Sequence, residues 1–106
     1  MDTIKITLPT TKNINQPLNE IEIQELKINA IKEFSLIAGG CTIINGLGGW
    51  LDSQNNVIVE NVYIVSSFIE NAQNAKEFLI SYAQKIKKEY QQESVLIELN
   101  QEILFV

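Results

Sequence analysis

Arginine and histidine are both missing from this chain of 106 residues, and all 8 of its basic side chains are lysine. Without arginine there is no planar fork for bidentate recognition of phosphate, and without histidine no side chain that ordinarily titrates near neutrality. Much acid–base and phosphoryl chemistry is thereby disfavoured. Cys41 is the only cysteine, which excludes an internal disulfide and suits a reducing compartment. For metals this leaves only a carboxylate site, and no Asp-rich loop of the required spacing occurs, so neither a metal nor another cofactor is expected. Positive charge is scarce: 8 basic against 13 acidic residues give a net charge of −5 and a pI of about 4.6. That balance argues against nucleic acid or an anionic membrane as partner. No stretch of about 20 apolar residues is present and no basic leader opens the chain, so an unprocessed, soluble, cytoplasmic protein is expected.

What is present is a chain with 45% apolar residues, enough for the core of one domain spanning residues 1–106. Residues 3–8 alternate, with Ile4, Ile6 and Leu8 on one face of a strand that Pro9 ends, and the polar stretch Thr10 to Pro17 reads as a loop. From Asn19 the period becomes helical, with Ile23, Leu26, Ala30, Phe34 and Ile37 forming one stripe. Asn19 and Glu22 have capping-box spacing, and Gly39-Gly40 supply a helix stop. Residues 41–51 and 57–67 form a hairpin around Asp52-Ser53-Gln54-Asn55-Asn56. A second helix is predicted from Asn71 to Tyr90, with Lys85, Lys87 and Lys88 near its C-terminus complementing the macrodipole. A last strand begins near Val95, is broken near Gln101, and closes on Ile103-Leu104-Phe105-Val106. The order strand, helix, strand, strand, helix, strand predicts an α+β, ferredoxin-like βαββαβ fold, a four-stranded antiparallel sheet with two helices on one face.

All five glycines, Gly39, Gly40, Gly46, Gly48 and Gly49, fall within eleven consecutive residues, beside the only Cys and the only Trp. Glycine serves where the backbone needs positive φ or close approach, so the segment to Trp50 is a candidate ligand-contacting strand. A structural reading stays open beside it: Gly39-Gly40 cap a helix, Gly46 marks a bulge, and Gly48-Gly49 bend the strand so that Trp50 turns inward. A phosphate cradle is disfavoured, because here the glycines precede more strand and not a helix N-terminus. Cys41 follows a helix C-terminus, the wrong pole for a thiolate, and reads as inert. Acidic residues Glu20, Glu22, Glu25 and Glu33 on the first helix read as a solvated face or as an imitation of a phosphate backbone.

Glu60 is the most informative carboxylate, since Ile58 and Val62 flank it on its own strand face. Buried there it would need donors, with the amides of Gln91-Gln92, the hydroxyls of Tyr63 and Tyr82 and the Trp50 indole as candidates. The segments Gly39-Gly40-Cys41-Thr42, Gly48-Gly49-Trp50, Glu60 and Gln92-Glu93-Ser94-Val95-Leu96 together resemble a set of short, largely uncharacterised bacterial and phage proteins, over roughly residues 34–97. The resemblance implies no activity; it implies that these segments belong together, around one pocket.

The leading expectation is a non-catalytic binding or regulatory module with a ligand-binding set of Gly46, Gly48, Gly49, Trp50, Glu60, Tyr63 and Gln92, taking a small polar ligand or a protein partner. Two alternatives stand beside it: an acidic phage-type inhibitor of a nucleic-acid-binding protein, and a small enzyme with Glu60 as general base and Tyr63 or Tyr82 as acid. The hairpin's second strand is apolar on both faces, and a four-stranded sheet has helices for only one. A homodimer held by the helix-free face, with help from Leu104 and Phe105, is therefore expected.

Overall fold

A computed structural model describes residues 1–13 and 15–106; Ile14, inside the predicted loop Thr10 to Pro17, lies outside the described residues. The strands are β1 (Asp2–Leu8), β2 (Thr11–Lys12), β3 (Gln16–Pro17), β4 (Thr42–Leu51), β5 (Val57–Ile69), β6 (Leu96–Leu99) and β7 (Glu102–Phe105), and the helices α1 (Glu20–Ala38) and α2 (Lys76–Glu89). β4, β5, β1, β6 and β7 form, in that order, an antiparallel sheet of five strands, and β2 and β3 a small separate ladder.

The four-stranded ferredoxin-like sheet expected from the sequence is thus corrected to an α+β architecture with a fifth strand. Asn100 takes a left-handed φ of 58° and turns the tail back, so that β7 pairs with β6 from Leu99↔Glu102 to Leu96↔Phe105. Asparagine tolerates that conformation, and the reversal lets Leu104 pack on the core. The predicted loop after Pro9 is also more ordered than expected. Thr11 pairs with Pro17 and Lys12 with Gln16, the Leu18 N–H donates to the Thr10 carbonyl at 2.9 Å, and the Thr10 hydroxyl donates to the Asn61 carbonyl at 2.5 Å.

Both helices cover one sheet face. Ile4, Ile6 and Leu8 of β1, Val65 of β5, and Ile97 and Leu99 of β6 meet Leu26, Ala30 and Phe34 of α1 and Leu79, Ala83 and Ile86 of α2 in a single core cluster. Phe34 stands at its centre, with its ring edge-to-face to Phe78 at 5.6 Å and to Tyr82 at 6.1 Å. The predicted capping box is formed: the Glu22 N–H donates to Asn19 Oδ1 at 2.8 Å and the Asn19 N–H to Glu22 Oε1 at 3.1 Å. Gly39, with φ at 83°, ends α1 in the left-handed region, where a side chain would be strained. The second helix starts later than expected. Asn71 and the Asp2 carboxylate cap a 3₁₀ turn over Ala72–Ala75, and α2 follows from Lys76. No helix among the described residues is long and apolar enough to cross a membrane.

These placements set an order of stability effects in urea denaturation. Phe34→Ala is expected to cost about 3–5 kcal/mol through the cavity it opens, and Asn19→Ala about 1 kcal/mol through the lost cap. Leu36→Ala, at a position 77% exposed, should change stability by less than about 0.5 kcal/mol.

Candidate functional site

The site arises because β5 is longer than its neighbour. β1 ends at Leu8, opposite Tyr63, whereas β5 begins six residues earlier at Val57 and there pairs with β4 alone. Residues 46–62 thus form a two-stranded arm beyond the body. Its tip is tied by Asp52, whose carboxylate accepts from the Gln54 N–H at 2.8 Å and the Asn56 N–H at 2.9 Å; these bonds hold its pKa below the usual carboxylate value. The register is unbroken from Thr42↔Ser66 to Leu51↔Val57, so the bulge expected at Gly46 is absent.

Side chains alternate across the arm. Gly46, Gly48 and Trp50 of β4 share the helix-free face with their partners Val62, Glu60 and Ile58, while Gly49 and Tyr63 lie on the other face. In the angle between the arm and the end of β1, Thr11 and the segment before β6 border an open cavity of about 370 Å³. Thr11, Trp50, Glu60, Gln92, Glu93 and Ser94 line it. A smaller cavity of about 150 Å³ adjoins it, sharing Glu60, Gln92 and Ser94 and reaching Leu96 and Phe105. Gly48 faces Glu60 across the ladder, and its missing side chain leaves the space beside that carboxylate open. A Cβ there would make only ordinary contacts, 3.7 Å from the Glu60 carbonyl oxygen and from Val62 Cγ1.

Of the predicted residues, Trp50, Glu60 and Gln92 therefore meet around one cavity, with Gly46 and Gly48 on the same sheet face. Tyr63 does not join them. It faces the helices, where Lys27 Nζ sits 4.1 Å from its ring centre. Tyr82 is buried in the core, donates to Asn29 Oδ1 at 3.1 Å, and has its pKa driven well up, chiefly by burial. A general acid drawn from either tyrosine is excluded, because the sheet separates both from Glu60. Trp50 does not turn inward as the bent-strand reading required; it is 50% exposed at the cavity rim. Thr11, Glu93 and Ser94 were missed as lining residues. Glu93 and Ser94 had a signal in the Gln92-Glu93-Ser94 segment, whereas Thr11 carried none in its polar loop.

Gln92 is fixed by two donated bonds of 2.9 Å, from Nε2 to the carbonyls of Thr11 and Tyr90. The Thr11 hydroxyl is buried and has no hydrogen-bond partner of good geometry among the described residues. Burial pushes the Glu60 carboxyl above its ordinary pKa of 4.5, with the nearby Thr11 hydroxyl opposing. The lining carries two carboxylates, an indole and several neutral hydrogen-bonding groups but no lysine. Such a wall favours a cationic or neutral polar ligand and repels an anion.

The chain belongs to a family described as a protein of unknown function (DUF3574), matched over residues 34–104. No curated protein matches it. Among solved structures it is similar to a phage SAM lyase in complex with S-methyl-5′-thioadenosine, at 14% identity and a TM-score of 0.67, covering 98% of this chain and 87% of the other. It is also similar to a phage SAM lyase in the apo state, at 18% identity and a TM-score of 0.62, covering 98% and 86%. These neighbours run against the expected non-catalytic module: both of these proteins, whose fold this chain shares along nearly its whole length, are enzymes, and an inhibitor of nucleic-acid-binding proteins fits them no better.

The Glu60 environment gives a pH-dependent stability effect. A carboxyl whose folded pKa is raised favours the protonated native state, so its ionisation lowers stability as pH rises from about 4.5 through the folded pKa. Glu60→Gln removes that loss. Thermal melts should therefore show the variant gaining more over the wild type at pH 7 than at pH 4.

Proposed function

We propose that this protein is an enzyme that takes S-adenosylmethionine in the cavity beside Glu60 and cleaves it to S-methyl-5′-thioadenosine. The observation that carries the reading is the charge of the cavity: two carboxylates, Glu60 and Glu93, and the Trp50 ring, with no lysine in the lining. S-adenosylmethionine brings two positive groups, a sulfonium and an ammonium, against one carboxylate. A carboxylate-walled site with an aromatic face suits such a cation. The volume is of the order found for small-ligand sites, roughly 300–1,000 Å³. The enzyme fold of the two solved neighbours supports the same class.

The chemistry needs little from the protein beyond recognition and orientation. S-methyl-5′-thioadenosine retains the adenosyl and methyl groups, so the bond that breaks joins sulfur to the amino-acid chain. Its electron pair goes to sulfur, turning a sulfonium into a neutral thioether. The four-carbon fragment balances by bonding its own carboxylate oxygen to the carbon that sulfur leaves, a displacement in which no proton has to move. Glu60 has the role of holding the cationic part of the substrate, Gln92 and Ser94 offer hydrogen bonds, and Trp50 closes the rim. The product has lost its positive charge and with it the attraction of the carboxylates.

Incubation with S-adenosylmethionine, followed by chromatography and mass spectrometry, should show S-methyl-5′-thioadenosine forming in proportion to protein. Glu60→Gln should lower kcat/KM by about 100-fold, equivalent to about 2.7 kcal/mol. Calorimetry should find S-adenosylmethionine bound at least about tenfold more tightly than the neutral product. Absence of both product and substrate binding would overturn the reading.

A further inference from the structure

An edge strand offers a row of free backbone N–H and C=O groups, and proteins commonly guard it with charge, proline, a bulge or shortness. β7, one edge of the sheet, is only four residues long and carries Glu102, which pairs with Lys76 at 3.1 Å. β4, the other edge, has none of these guards. Its ten residues Thr42–Leu51 include no charged residue and no proline, and their ladder to β5 runs without a bulge. The arm that extends it rests on two strands, an arrangement marginal in water by itself. On the face that continues the helix-covered side of the sheet, Leu47, Leu51, Val57 and Val59 are 57–74% exposed. α1 covers that side only as far as the groove lined by Lys27, Ile28, Ile31, Ile43, Asn45 and Tyr63.

We propose that β4 is the seam of a homodimer, pairing antiparallel with β4 of a second copy about a twofold axis and joining two five-stranded sheets into one. The occupant follows from the edge itself. A strand that pairs antiparallel with its own copy is self-complementary, and the assembly closes at two. The chain carries a net charge of −5, yet residues 42–51 are all uncharged, so the surface that must approach closely escapes the repulsion acting elsewhere. The exposed apolar side chains of the edge strand itself, Ile44, Leu47, Trp50 and Leu51, present on the order of 500 Å² per copy, to which the paired backbones add, against the roughly 800 Å² per partner of a standard interface. The helix-free face of the body sets Thr3, Lys5, Thr7, Ser66 and Glu98 among the exposed Phe68, Ile103 and Phe105, so its apolar surface is interrupted by charge where that of β4 is not, and Leu104 packs toward the core.

This inference does not rest on the reaction proposed above, although Trp50 belongs to both the β4 edge and the cavity rim. Light scattering after size exclusion should give twice the chain mass of 12.0 kDa at tens of micromolar. Because the two copies share one sign of charge, raising the salt should strengthen the association. Leu47→Lys adds an edge lysine at a position 74% exposed and should return the mass to 12.0 kDa with unchanged far-ultraviolet circular dichroism. Hydrogen exchange of the wild type should show β4 amides more protected at high than at low protein concentration. A wild type of 12.0 kDa, a folded Leu47→Lys variant of unchanged doubled mass, or β4 exchange independent of concentration would each overturn the seam.

Discussion

The site depends on a mismatch in strand length. β5 has thirteen residues and β1, its inner neighbour, has seven, so a five-stranded sheet narrows abruptly to two strands at Leu8↔Tyr63. That step creates the re-entrant angle that the Thr10–Leu18 chain and the Gln92–Ser94 segment fill from the other side. Thr10 anchors the first to the Asn61 carbonyl, and Gln92 ties the second to Thr11. If β1 paired along the whole of β5, the space beside Glu60 would hold a strand. The same mismatch leaves apolar side chains of the arm without a helix above them. One constraint therefore makes both a cavity on one face and an uncovered ribbon on the other.

Much of this geometry was legible in residue order. The alternation of Ile4, Ile6 and Leu8, the stripe Leu26, Ala30, Phe34 and the Asn19–Glu22 box are local signals, and each has the structural outcome that its periodicity demands. The grouping of Trp50, Glu60 and Gln92 needed more. Trp50 and Glu60 share a face because their register partners, Ile58 and Gly48, alternate with them, but Gln92 arrives from a different part of the chain. Only the resemblance to other short proteins joined it to the others. The fold was less legible at its C-terminus: Asn100-Gln101 lacks the glycine that usually marks a two-residue hairpin, so β6 and β7 read as one interrupted strand. The face assignment of Glu60 was not legible at all, since both faces of β5 are apolar in sequence and only the position of the helices separates them.

The glycine cluster illustrates how one composition signal divides into unrelated causes. Gly39 is needed for its backbone, at φ 83°. Gly48 sits in ordinary strand geometry opposite Glu60, where an added Cβ would make only ordinary contacts, 3.7 Å from the Glu60 carbonyl oxygen and from Val62 Cγ1. Glycine costs a strand stability unless something uses the room it leaves.

The missing arginine and histidine, which at first narrow the chemistry, are compatible with the proposed reaction. A sulfonium substrate carries its own leaving group and its own positive charge, so breaking its carbon–sulfur bond requires neither a protonated imidazole to assist departure nor a guanidinium to neutralise a developing anion. What such a substrate needs is a negatively charged, partly desolvated wall. Desolvation is what raises the Glu60 pKa and what makes its ionised form costly to the fold. A half-buried glutamate between Ile58 and Val62 is a poor choice for stability alone and a reasonable one for holding a cation, which would lower its pKa again on binding. On the proposed reading, the local cost of Glu60 and the acidic lining around it are two aspects of one arrangement, in which a cationic ligand would complete an electrostatic pairing that the chain by itself leaves open.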